Sequence, residues 1–186
     1  MKTILIAIIC IFSITAITSQ QKSIDTQKST LHWDAQKVTG EHNGTISFKS
    51  GQIQYKGDEL TSATFFVDMT SITCSDIENE EYNKKLVGHL KSDDFFGVEK
   101  FPTASLVFTN VKSTGKNSYE VTADLTIKDK TNAVTFDMSI YGNKATANVK
   151  IDRTKFDVRY GSTSFFDDLQ DKAIYDEFDL ISDLEF

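Results

Sequence analysis

"SYEVTADLTIKDKTNAVTFDMSIYGNKATANVKID", residues 118–152, changes character at almost every step. Tyr119, Val121, Ala123, Leu125 and Ile127 fall on one side of an extended chain, with Glu120, Thr122, Asp124 and Thr126 on the other, because successive strand side chains point to opposite faces. Val134, Phe136, Met138 and Ile140 repeat the pattern against Thr135, Asp137 and Ser139. Ala145, Ala147, Val149 and Ile151 do so against Lys144, Thr146, Asn148 and Lys150. One wet face and one apolar face mark half-buried antiparallel strands. The short polar breaks at 128–132 and 142–144 are their turns.

The same reading extends both ways. At the C-terminus, Ile174, Phe178, Leu180, Leu184 and Phe186 share a face opposite Glu177, Asp179, Asp183 and Glu185. Upstream, "TASLVFTNV" (103–111) is a strand that turns at 113–117, and earlier strands are expected at 30–35, 44–49, 51–56 and 60–68. Ser50-Gly51-Gln52 reads as a turn. So does Asn43-Gly44, a better account of that pair than the glycosylation sequon Asn43-Gly44-Thr45. The fold class is all-β: an extended antiparallel barrel of about eight strands, closed so that no edge is exposed, with no linker dividing residues 30–186.

One segment breaks the alternation. In "NEEYNKKLVGHLKS", Tyr82, Leu86, Val87 and Leu90 lie three and four apart, as on one helix face. Asn79 is placed to cap the start, and Glu80 and Glu81 occupy the first turn, where the helix dipole favours them. The expected helical insertion covers residues 79–96. Phe101 before Pro102, the chain's only proline, returns the chain to extended structure.

Lys2 followed by "ILIAIICIFSITAI" reads as an export signal over residues 1–19, too short and too bare of flanking charge for a stable membrane span. Its removal takes Cys10 and leaves Cys74 without a disulfide partner. Residues 20–29 read as an N-terminal tail. The formal charge of −7 disfavours nucleic acid and anionic lipid surfaces as partners. A soluble, exported protein is expected, periplasmic or secreted, with a homodimer left open.

No metal or catalytic constellation stands out. His89 beside Asp93 and Asp94, or His42 beside Glu41, lacks paired-ligand spacing. Cys74 sits in no nucleophile motif. Asp152 and Arg153 read as a structural pair or a turn-fixing set, and Arg153 and Arg159 as strand-end anchors or headgroup contacts. The inward faces mix large Phe48, Phe66, Phe108, Phe136 and Phe178 with small Ala104, Ala123, Ala145 and Ala147. Composition alone fits either a filled core or a cavity.

Several stretches, in order, resemble the YceI-like family of exported bacterial proteins: "KVTGEHNGTI", "FFVDMTSI", "LVGHLKSDDFF", "KFPTASLVFTNV", "LTIKDKT" and "IDRTKF". Asp129 stands where the family commonly has glycine. The resemblance implies a lipocalin-like barrel whose interior takes a long isoprenoid-like amphiphile, such as a polyprenyl or quinone-like lipid, with no covalent cofactor and no catalysis. The expected tail contacts are Phe48, Phe66, Phe108, Leu125, Phe136 and Phe178. Mouth or cap positions fall to His89, Phe95, Phe96 and Arg153. An enzyme using His89 at the mouth and a structural barrel with a filled core stand as the alternatives.

Overall fold

The computed structural model describes residues 19–186; the expected export signal and Cys10 lie outside the described residues, apart from Ser19. The strands are β1 (Ser19–Ser23), β2 (Thr30–Lys37), β3 (Gly40–Thr45), β4 (Ser47–Lys56), β5 (Glu59–Asp68), β6 (Thr103–Gly115), β7 (Ser118–Ile127), β8 (Lys130–Tyr141), β9 (Lys144–Asp152) and β10 (Ile174–Glu185). One helix, α1 (Glu80–Lys91), lies between β5 and β6. All pairings are antiparallel, in the order β1-β4-β5-β6-β7-β8-β9-β10-β2-β3.

Closure comes from one residue. Ile46 alone separates β3 from β4, and its N–H donates to Leu31 O at 3.0 Å. Since β3 ends the order on one side and β4 stands near the other, this nearly continuous strand joins the two ends and curls the sheet on itself. β1 and β2 lie along the same line beside it, β1 on Gln52–Lys56 and β2 on Gly40–Thr45. Ten segments therefore fill about eight strand positions, which reconciles the count with the alternation. Residues 20–29 are not a tail: they supply most of β1 and a turn in which Ile24 is buried.

Both glycine turns expected near the start are instead strand interior. Gly44 lies within β3, where a Cβ would come within 2.0 Å of Thr73 O. Gly51 lies within β4, where a Cβ would meet the Phe65 ring at 2.6 Å and Ile24 at 2.8 Å. Their missing side chains admit close neighbours rather than a change of direction. By contrast, the β7–β8 turn places Lys128 at φ 50° and Asp129 at φ 55°, the two left-handed residues that a tight two-residue hairpin demands.

The helical insertion expected over 79–96 is α1 and the turn after it, within a β5–β6 connection that runs from Asp68 to Thr103. From Asp68 a short 3₁₀ turn (Met69–Ser71) leads to a strap that hydrogen-bonds along β3, Thr73 N to Thr45 O and Ser75 N to Asn43 O. The strap thus covers an edge that would otherwise offer free N–H and C=O groups. Asn79 then caps α1, its side chain accepting from Tyr82 N–H at 3.1 Å. Leu86, Val87 and Leu90 turn inward as expected, whereas Tyr82 is exposed and Asn83 replaces it. The Asn83 amide donates to Cys74 O and Ile77 O, fastening the helix to the strap.

Candidate functional site

The barrel is solid at one end and hollow at the other. At the end with the β4–β5, β6–β7 and β8–β9 turns, Ile53, Ala63, Val121, Ala123 and Ala145 are at most 1% exposed and fill the interior. Toward α1 the interior opens. Phe48, Phe65, Phe108 and Phe136 form a row of tilted rings with centroids 6.2, 5.9 and 5.9 Å apart, a spacing favoured by aromatic quadrupoles. Ala123 faces Phe108 across the β6–β7 pair, leaving room for the Phe136 ring to reach it.

These rings line an apolar chamber of about 880 Å³ of space free of protein atoms, its opening included. Leu31, Met138, Val149, Ile151 and Leu180 share the wall, and Ser105 and Ser182 are its only polar residues. A second, smaller chamber, about 480 Å³ of space free of protein atoms with its opening included, lies beneath α1, lined by Trp33, Leu90, Phe95, Arg153 and Tyr175 among others. Outside the barrel, a polar depression between residues 93–101 and the β7–β8 turn carries both charges and shares no residue with either chamber.

The structure brings Phe48, Phe108, Leu125, Phe136 and Phe178 into the first chamber. Phe66 is the exception: it is 39% exposed on the outer face, and Phe65 takes the inward position. The cause is a bulge. Gln54 faces Ser62 and Tyr55 faces Leu60, so Thr61 is an extra residue in β5. Counting by twos from Leu60 reaches Phe66; restarting after the bulge reaches Ala63, Phe65 and Val67. Ile46 carried no such signal, because its role depends on the kink between two strands.

Of the cap candidates, Phe95, Phe96 and Arg153 face the second chamber. His89 lines neither chamber. Its ring packs edge-on to Tyr160 at 4.3 Å and Phe95 at 5.7 Å, with a buried Nε2 that has no hydrogen-bond partner.

Arg153 is an anchor. It is 3% exposed, and its guanidinium donates from Nε to Tyr175 O, from Nη1 to Val158 O and Tyr160 O, and from Nη2 to Ile174 O, all within 3.0 Å. Asp176 Oδ1 lies 3.4 Å away as a counter-charge. Burial pulls against the guanidinium's charge, and Asp176 and Asp152 partly offset it. Asp152 does not pair with it directly. Its carboxylate accepts from Thr154 N–H and Oγ1 and fixes the 3₁₀ turn Arg153–Phe156, the turn-fixing reading. Arg159 is exposed, paired to Asp157 at 2.6 Å and stacked over Phe165.

The strap is held by Asp76. Burial pushes its carboxyl up, but hydrogen bonds from Asn43 N–H, the His42 ring and Cys74 Sγ outweigh this and hold it at about 2. For Cys74, burial and then Asp76 push the thiol up, so it is not an activated nucleophile. A carboxyl held below its ordinary value stabilises the fold above that value and ceases to as pH falls through the folded one. Wild type is therefore expected to lose roughly 1–2 kcal/mol between about pH 4 and pH 2 that Asp76→Asn does not lose. Parallel urea titrations across that window check it; identical pH profiles for the two proteins would refute it.

Among the described residues, no three His, Cys, Asp or Glu side chains converge as metal ligands, and no helix is long and apolar enough to cross a membrane.

The YceI-like domain matches residues 23–186. A UPF0312 protein of Pseudomonas putida strain F1 is 46% identical over 100 residues, 54% of this chain and 50% of its own length. One from Staphylococcus epidermidis is 36% identical over 100 residues, 52% of each chain. The chain spans about half the length of the curated relatives it matches. Burkholderia cenocepacia BcnA superposes with a TM-score of 0.68 at 24% identity, covering 87% of this chain and 98% of that one. A polyisoprenoid binding domain from Saccharophagus degradans, implicated in plant cell wall breakdown, gives 0.57 at 13% identity, covering 87% and 95%. Likenesses this distant show a shared fold.

Proposed function

We propose that this chain, which belongs to the YceI-like family, is an exported binding protein that holds a long isoprenoid-like lipid inside its barrel. The observation that carries this reading is the apolar chamber itself, walled by the Phe48–Phe65–Phe108–Phe136 row and nearly free of polar groups. Such a wall gives little direction to a ligand but much driving force, since each 100 Å² of apolar area removed from water contributes about 2.5 kcal/mol. A branched hydrocarbon chain fits it; a sugar, nucleotide or peptide would leave its polar groups without partners. The name of the Saccharophagus domain supports an isoprenoid over other lipids. The same wall supports binding over turnover, because its lining residues include two serines and no His, Asp, Glu or Lys that could act as a base.

Gentle purification, organic extraction and mass spectrometry should recover a polyprenyl or quinone-like lipid, and delipidated protein should take one up in titration. Ala147 lies on the chamber wall, and Ala147→Phe is expected to weaken that uptake at least about tenfold while the protein stays folded. Protein that purifies empty and binds no polyprenyl lipid would overturn the reading.

A further inference from the structure

The two chambers meet at three side chains that line both: Ile46, Phe96 and Phe178. Ile46 and Phe178 are fixed by the sheet, Ile46 by its bond to Leu31 O, Phe178 by pairing with Ala35 and Ile151 on its two neighbouring strands. Phe96 is held differently. It sits in the loop after α1, tied by its own N–H to Leu90 O at 3.1 Å, and is followed by Gly97 in the left-handed region. Its ring rests edge-on against Phe95 and is only half-buried.

The second chamber suits a hydrocarbon. Trp33, Leu90, Phe95 and Ile174 supply apolar wall. Arg153, the one charged residue there, spends its donors on four backbone carbonyls and has Asp176 at hand, so it presents no free site to an anionic headgroup.

We propose that Phe96, against Ile46 and Phe178, is the end stop of the lipid site and so determines the length of chain the protein prefers. This rests on the reading that the first chamber holds an isoprenoid chain. With Phe96 in place, the tail ends at the partition and the second chamber stays separate. Without that ring, the two chambers join and the tail runs on toward Trp33.

Trp33 is the chain's only tryptophan and lines only the second chamber, so it reports on the tail directly. The experiment titrates delipidated protein with isoprenols of increasing length, and repeats it with isoprenols brominated at the tail end as quenchers. In wild type, affinity should rise with length and level off, with little quenching of Trp33. In Phe96→Ala, the levelling-off should move to longer chains, with about tenfold tighter binding of the longest and strong quenching. Phe96→Leu should fall between, and adding Ala35→Phe to Phe96→Ala refills the second chamber and should reverse both changes. Unchanged length preference and quenching in both Phe96 variants, with the series still binding, overturns the end stop alone. Failure of every isoprenol to bind wild type overturns the lipid reading and the end stop with it.

Discussion

Replacing Arg153 with methionine should cost the fold about 3–5 kcal/mol. Methionine keeps much of the apolar stem that packs beside Phe95, where the guanidinium carbon lies 5.7 Å from the ring centre, so the loss isolates the charged head. Four carbonyls, those of Val158, Tyr160, Ile174 and Tyr175, would lose their donor at once. Each buried group left without a partner costs about 1–3 kcal/mol, and Asp176 would lose its counter-charge. These carbonyls belong to the two ends of the long β9–β10 connection, so the side chain works as a clasp across residues 158–175. Arg153→Lys should recover only part of the loss, because an ammonium has three donors and no planar fork. Urea unfolding of the three proteins measures this. A methionine variant within about 1 kcal/mol of wild type would mean that water replaces the guanidinium without penalty.

Gly44→Ala should be nearly as damaging, about 3 kcal/mol, although it adds a single methyl group. The new Cβ would stand 2.0 Å from Thr73 O and 2.7 Å from Trp33 Nε1, and the nearest obstacle is backbone that cannot rotate away. Accommodating it means pushing the strap off β3. That breaks the Trp33 Nε1 donation to Thr73 O and strains the ladder bonds of Thr73 and Ser75. Overpacking costs about 1–3 kcal/mol and a lost buried hydrogen bond a comparable amount. The fluorescence of Trp33 should shift to the red in the folded variant, ahead of global unfolding. An alanine variant with wild-type midpoint and wild-type emission would show that the strap gives way freely.

Much of the fold was legible because a barrel wall writes itself in alternation. Through β7, β8 and β9 the inward residues follow every second position, and Leu125 and Phe136 were located by that rule; β6 keeps it only as far as Phe108, after which Thr109 is an extra residue. The rule fails where the backbone departs from an even pleat. One extra residue at Thr61 exchanged Phe66 for Phe65. Gly44 and Gly51 look like turns because sequence shows only that a side chain is missing, and it is the neighbour filling the space that tells a turn from a close approach. Arg153 was legible as one of two arginines with a special role, but choosing between anchor and headgroup contact needed the positions of carbonyls from residues 158–175. The end stop was less visible still: Ile46, Phe96 and Phe178 converge from three separated parts of the chain.

The collinear arrangement of β1 with β2 bears on how the protein avoids its own kind. β2 covers only the first part of the continuous β3–β4 strand, and β1 covers Gln52–Lys56 beyond it. Without β1, that stretch would present a row of unsatisfied amides and carbonyls, and such a row templates the strand of another molecule. By pairing there, β1 moves the free edge of the sheet from the long β3–β4 strand to a strand of five residues, and an edge so short is a poor template for another molecule. That strand sits at the solid end of the barrel, beside the β4–β5 turn and away from the apolar chamber.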